Sequence, residues 1–235
     1  DQADPRAPLI VHSIAWAHGL DAIAGAPSDG GVVRRGDFDH LRRTIAWLGE
    51  EPVDATTRLV LIDRLDVLVR DVRELDGGAL AAQLLDVLQD GPRRRVAVVA
   101  TVEPAAMLVG TAAALPGGRI VLPIDDPALA AAAGVPQRAG AAPGRGVAPN
   151  GDDIQIGLPV ATEPPAAAPA AIVERMPKVV PLASVASSEG ERVAIGLGGR
   201  SRLAPLEIDL DAVGPIVVVV GRPGSGRSAA LATFA

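Results

Sequence analysis

The sequence predicts an α/β fold, a mostly parallel sheet with helices on both faces. Three observations predict it. Short runs of β-branched residues with no polar partner suit strands buried on both sides. Stretches with apolar residues at three- and four-residue steps suit helices with one packed face. The two kinds alternate along the chain, the order that builds strand–helix–strand units.

Composition narrows the class. The chain has 235 residues, 49% of them hydrophobic, enough for a core and for one large or two small domains. Its net charge of −6 argues against a surface that coats nucleic acid. Arg93, Arg94 and Arg95 form the densest basic cluster, and their place directly before a strand reads as a solvated loop. No cysteine is present, so there is no disulfide or thiolate metal site, and His12, His18 and His40 have no metal-binding spacing. No apolar run reaches the ~18 residues that span a bilayer.

In chain order, residues 9–16 read as a strand, 19–24 as a short helix and 25–31 as a turn. A helix follows with Asp37 or Asp39 as its cap and Phe38, Leu41, Ile45 and Leu48 on one face. After the turn at Glu51 and Pro52, residues 58–62 form a buried strand ending in Asp63. An acidic residue at the carboxyl end of such a strand sits where open α/β sheets place ligand chemistry, and the pattern is that of a Walker B strand, whose aspartate holds magnesium through water. The next position would carry the glutamate that polarises an attacking water. Here it is Arg64, which cannot act as a base, and Asp66 is expected to point elsewhere. An ordinary strand capped by an aspartate is the alternative.

Residues 80–88 read as a helix with Leu80, Leu84, Leu85 and Leu88 along one side, bounded by Gly77 and Gly78 before and Gly91 and Pro92 after. The strand at 95–100 leads to Thr101, placed either to sense a γ-phosphate or, as favoured here, to cap the next helix. A helix over 105–114, a strand at 119–122, a helix over 127–133, a loop at 140–146 and a short strand over 153–158 close the first domain, residues 1–159. Residues 160–181 are a Pro- and Ala-rich linker.

A second domain, 182–235, opens with alternating strands at 192–197 and 206–210. They lead to Ile216, four consecutive valines and the segment Gly221-Arg222-Pro223-Gly224-Ser225-Gly226-Arg227-Ser228-Ala229. This spacing is that of the phosphate-binding P-loop, with Gly221 and Gly226 at the glycine positions and Ser228 at the magnesium-ligating hydroxyl. Arg227 stands in place of the lysine, with a bulkier head and a different reach. In such enzymes the phosphate loop precedes the Walker B strand, whereas here Asp63 comes first and a linker intervenes. Only about two helical turns follow Ser228 before Ala235. The chain is therefore expected to hold two incomplete tandem domains, the later part of one and the first part of the next.

These residues resemble the tandem FtsK/SpoIIIE-type P-loop ATPases of actinobacteria, including the EccC motors of type VII secretion. The resemblance rests on residues 59–63, the 95–101 strand, Pro143-Gly144-Arg145-Gly146 followed by Gln155 and Ile156, and the entry into a new domain through 206–210 and 221–228. It implies a RecA-like fold and ATP with Mg2+ as ligands: Gly221, Gly224, Ser225, Gly226, Arg227, Ser228, Ala229 and Thr101 around the nucleotide, Ser228 and Asp63 at the metal. It further implies other ATPase domains as partners and a translocase at the cytoplasmic inner face of the plasma membrane, attached through parts outside this segment. The substrate would be a secreted protein in the EccC branch or double-stranded DNA in the FtsK branch. Arg119 and Arg145 match arginines of the family pattern. The departures at Arg64 and Arg227 shift the expectation from motor toward regulatory or binding module, and this segment is expected to lack ATPase activity.

Overall fold

The structure is a computed structural model, and it describes residues 9–17, 20, 29–52, 56–107, 115, 117–132, 142–157, 173–185, 192–209, 212, 217–223, 225–226 and 229–230. It divides into two compact units, Asp1–Ala171 and Ile172–Ala235.

The first unit is built on a parallel sheet of β1 (Leu9–Ala15), β2 (Asp29–Arg34), β3 (Thr57–Asp63) and β4 (Val96–Ala100), in the order β2-β1-β3-β4. Along β3, Arg58, Val60 and Ile62 are buried while their neighbours are half-buried, so the strand expected to be buried throughout packs one face more tightly than the other. Helices α1 (Phe38–Leu48), α2 (Leu65–Arg73) and α3 (Ala79–Asp90) supply the rest of the core, with Leu41, Ile45, Leu68, Val72, Leu80 and Leu84 almost fully buried. At α1 the cap is Asp37, whose carboxylate accepts the His40 N–H. At its other end Arg58 is buried at 5% exposure, lies 4.3 Å over the Trp47 ring and donates through Nη1 to the carbonyls of Trp47 and Glu50 at 3.0 and 3.2 Å. The helix's negative end thus receives a cation that would otherwise be costly to bury.

Three expectations are corrected in this unit, and one helix is added. Gly30 and Gly31, read as a turn, lie in β2. A Cβ on Gly30 would fall on the buried His12 ring and 2.7 Å from Ile10 Cγ2, so the glycine is there to admit a neighbour rather than to bend the chain. Helix α2 was not anticipated. Of the face proposed for α3, Leu85 and Leu88 are only half-buried, because the buried set is Leu80, Ala81, Leu84 and Val87. The strand expected at 119–122 shrinks to a single antiparallel bridge between Val121 and Val147, since among the described residues no longer ladder is offered to it.

Residues 104–107 form one 3-10 turn, and 108–114 lie outside the described residues, as does the helix expected at 19–24 apart from Leu20. Helix α4 (Pro127–Ala132) is capped by Asp126, which accepts the N–H groups of Ala128 and Leu129. An antiparallel hairpin of β5 (Arg145–Val147) and β6 (Asp153–Gln155) completes the described unit.

In the second unit β7 (Arg192–Gly198) and β8 (Ala204–Asp209) pair antiparallel, as their alternation suggests. The buried strand expected at 216–220 is not formed among the described residues: 217–220 carry no strand, and Val218 and Val220 are 74% and 87% exposed. A valine run is buried only when strands flank it, and no described strand pairs with this one. No helix among the described residues is long and apolar enough to cross a membrane.

Candidate functional site

The parallel register of β3 and β4 sets Ile62 against Ala100, so the residues that follow, Asp63 and Thr101, meet at the carboxyl ends of the two strands. Thr101 makes four hydrogen bonds there. Its N–H donates to the Ile62 carbonyl, its hydroxyl donates to Asp63 Oδ1, the hydroxyl oxygen accepts the Arg64 N–H, and its carbonyl accepts the Leu65 N–H, each at 2.9 Å. The hydroxyl is spent on Asp63 and Arg64 and is not capping the turn at 104–107. Strand register decides this, because it brings the β3 end closer than the residues downstream.

Arg64, where the Walker B expectation would put a glutamate, caps α2 in a left-handed conformation, φ 64° and ψ 60°. That region costs a non-glycine residue strain. Two carboxylates engage its guanidinium: Asp66 receives Nε and Nη2 at 3.1 and 3.0 Å, and Nη1 lies 2.9 Å from Glu103 Oε1. The fork geometry suits a bidentate carboxylate. The Asp66 hydrogen bond and charge, with Glu103 and Asp63 adding theirs, raise the Arg64 pKa against the opposing effect of desolvation. At Asp66 burial works against the charged form, but the Arg64 hydrogen bond and charge together with backbone N–H groups outweigh it and lower the pKa. Asp66 therefore turns back onto Arg64 instead of pointing elsewhere. Neither Asp66 nor Glu103 was legible as a partner, because a left-handed residue cannot be read from an arginine in the sequence.

Of the other predicted residues, Gly221, Ser225, Gly226 and Ala229 are described, and Gly224, Arg227 and Ser228 lie outside the described residues. The Ser225 N–H donates to the Arg222 carbonyl at 3.1 Å, Gly226 has φ 91°, and the Ala230 N–H donates to the Gly226 carbonyl at 2.8 Å. The glycine supplies a conformation that side chains resist, and Ala229 and Ala230 are helical.

At the Asp63 end one carboxylate oxygen accepts the Thr101 hydroxyl, and the adjoining residue is a guanidinium held between two acids. A magnesium ion held through water by a single aspartate, with water and phosphate filling the rest of its shell, is compatible with that carboxylate. Beside this end, Leu65, Leu88, Val98, Val99, Val102 and Ile120 line a groove of about 330 Å³, with Arg119 also on its wall.

No family model and no curated relative matches this chain. Solved structures do. The Thermomonospora curvata EccC fragment of ATPases 2 and 3 in complex with a signal sequence peptide matches at TM-score 0.58 and 20% identity, over 87% of this chain and 46% of that one. At this identity the likeness is one of fold. The cytoplasmic domain of the same EccC matches at TM-score 0.59 and 21% identity, over 87% of this chain and 29% of that one. EssC ATPases 2 and 3 from Geobacillus thermodenitrificans match at 0.61 and 14%, over 97% and 52%. The chain thus spans about half or less of the structures it resembles. The parallel sheet with flanking helices is consistent with the RecA-like fold that the resemblance implies.

Proposed function

We propose that this chain is a segment of an FtsK/SpoIIIE-type ATPase of a type VII secretion system, and that its first domain, 1–159, is a non-hydrolysing regulatory module. The single observation that carries the reading is Arg64: the position that would polarise an attacking water holds a guanidinium tied to Asp66 and Glu103. An arginine does not give up its proton near neutral pH, so it supplies no general base. Thr101 and Asp63 satisfy each other and serve to join β3 to β4.

In the second domain, 182–235, the nucleotide phosphates and their magnesium ion fall to the 221–228 loop, with Arg227 in the lysine position and Ser228 as the metal ligand. The apolar groove supports a second role for the first domain, holding an apolar stretch of a secreted protein. EccC itself was solved with a signal sequence peptide. Other ATPase domains of the same assembly are the remaining partners, and membrane attachment is left to parts beyond this segment.

Calorimetric titration of Mg-ATP into the chain, native and Arg227→Lys, tests the reading. Micromolar binding by the native protein without phosphate release supports a nucleotide-holding module. If the native chain binds nothing and lysine restores binding, the loop is a relic and protein contacts carry the role. Phosphate release at ordinary ATPase rates would overturn the proposal.

A further inference from the structure

We propose that the edge of β4 takes the 216–220 strand of a second copy of this chain, added in parallel, so that the 221–228 loop of one copy stands at the Asp63 end of the next. The contact is independent of nucleotide; only the role of the loop rests on the reading above. Strand β4 is the last of its sheet among the described residues, and its Val99 is 60% exposed. The groove beside it is lined by Val98, Val99 and Ala100 together with residues 117–120. Consecutive residues of a strand point to opposite faces, so a groove that reaches three in a row runs along the strand's edge. Such an edge offers a row of backbone donors and acceptors to an extended segment that enters it.

Pattern and charge name the occupant. Residues 216–220, one isoleucine and four valines, equal β4 in length and are β-branched throughout, and the described valines among them pair with no described strand. At the amino end of β4, Arg93, Arg94 and Arg95 outnumber the neighbouring Asp86 and Asp90. At its carboxyl end Asp63, Asp66 and Glu103 outnumber Arg64. The 216–220 run carries the opposite order, Asp211 before it and Arg222 after it. Parallel entry therefore sets acid against base at both ends, whereas antiparallel entry sets like against like. Parallel strands end at the same side of a sheet, so the loop that follows Val220 comes to the end where Asp63 and Thr101 meet. One copy then supplies the loop and the next supplies the aspartate, a heterologous contact between two different surfaces.

Sedimentation velocity without nucleotide tests the contact whatever the loop binds. The native chain is expected to associate as its concentration rises, from the 23.8 kDa of one chain to twice that or more. Val99→Lys puts a charge in the groove and leaves the 216–220 run intact, while Val218→Pro interrupts the run and leaves the groove intact. Each variant alone is expected to stay monomeric where the native chain associates. Mixed in equal amounts they are expected to form heterodimers, because one still offers a strand and the other an edge, and that recovery shows both to be folded. Should Val99→Lys unfold, a synthetic peptide of residues 211–223 in excess is expected to return the native chain to monomer. A native chain that stays monomeric would overturn the proposal and leave the groove to a secreted segment. A variant that associates as the native chain does, a mixture of folded variants that gains no heterodimer, or a peptide without effect would overturn it too.

Discussion

Asp71 on α2 receives two donors: the indole N–H of the fully buried Trp16 at 3.0 Å and the Arg35 guanidinium, whose Nε lies 3.1 Å away. Asp71→Ala leaves a buried indole donor unpaired and is expected to cost ~1–3 kcal/mol, and Asp71→Asn, which keeps an acceptor, less. Burial opposes the charged form of this carboxyl, but the Trp16 hydrogen bond and Arg35 outweigh it, so its folded pKa lies below the ordinary 3.8. A lowered carboxyl contributes stability that is fully present above the unfolded pKa and is lost as pH falls through the folded one. Urea melts should therefore show native stability falling below about pH 4 more steeply than in Asp71→Asn. At Gly30 the same residue scale gives a steric prediction. Gly30→Ala drives a methyl into His12 and Ile10, and a loss of ~1–3 kcal/mol is expected in the same melts.

The hairpin of β5 and β6 shows what single elements demand of a motif. Gly144, at φ 80°, would place a Cβ 2.9 Å from Gln155 Nε2, and Gly146 would place one 2.7 Å from the Val121 carbonyl oxygen. The Gln155 amide donates to the Pro143 carbonyl at 3.0 Å, and the Ile156 N–H donates to the Gly144 carbonyl at 2.8 Å. The Pro-Gly-Arg-Gly and Gln-Ile pieces are thus one folded unit. Gly144→Ala is expected to strain the left-handed turn by ~1 kcal/mol, read as faster amide hydrogen exchange at Ile156 with exchange in β3 unchanged. Helix α1 was legible from its one apolar face, and strands β3 and β4 from short apolar runs that end at a polar residue. Strand β2 was not, since its paired glycines spell a turn locally and their reason is the His12 ring across the sheet. Helix α2 was hidden for a related cause: it starts at a left-handed arginine with no side-chain cap, so nothing announces its N-terminus.

Over the whole molecule, the parallel α/β fold class read from the sequence matches the sheet and its flanking helices, and the polar residues at its strand ends were legible singly. Asp63 and Thr101 stand out as polar ends of apolar strands. Their mutual hydrogen bond, and the tether of Arg64 to Asp66 and Glu103, depend on strand register and on one backbone conformation, which no local pattern encodes. The 216–220 run shows the converse, a strong strand pattern that the described residues leave unpaired, because burial requires neighbours as well as propensity. The account as a whole holds that this chain carries the ATPase fold without turnover. Phosphate release by the native chain under saturating Mg-ATP, set beside Asp63→Asn, tests that most directly. No release above buffer, unchanged by Asp63→Asn, is expected. Turnover of ~1 s⁻¹ or faster, within the ordinary enzyme range, that disappears in Asp63→Asn would contradict it.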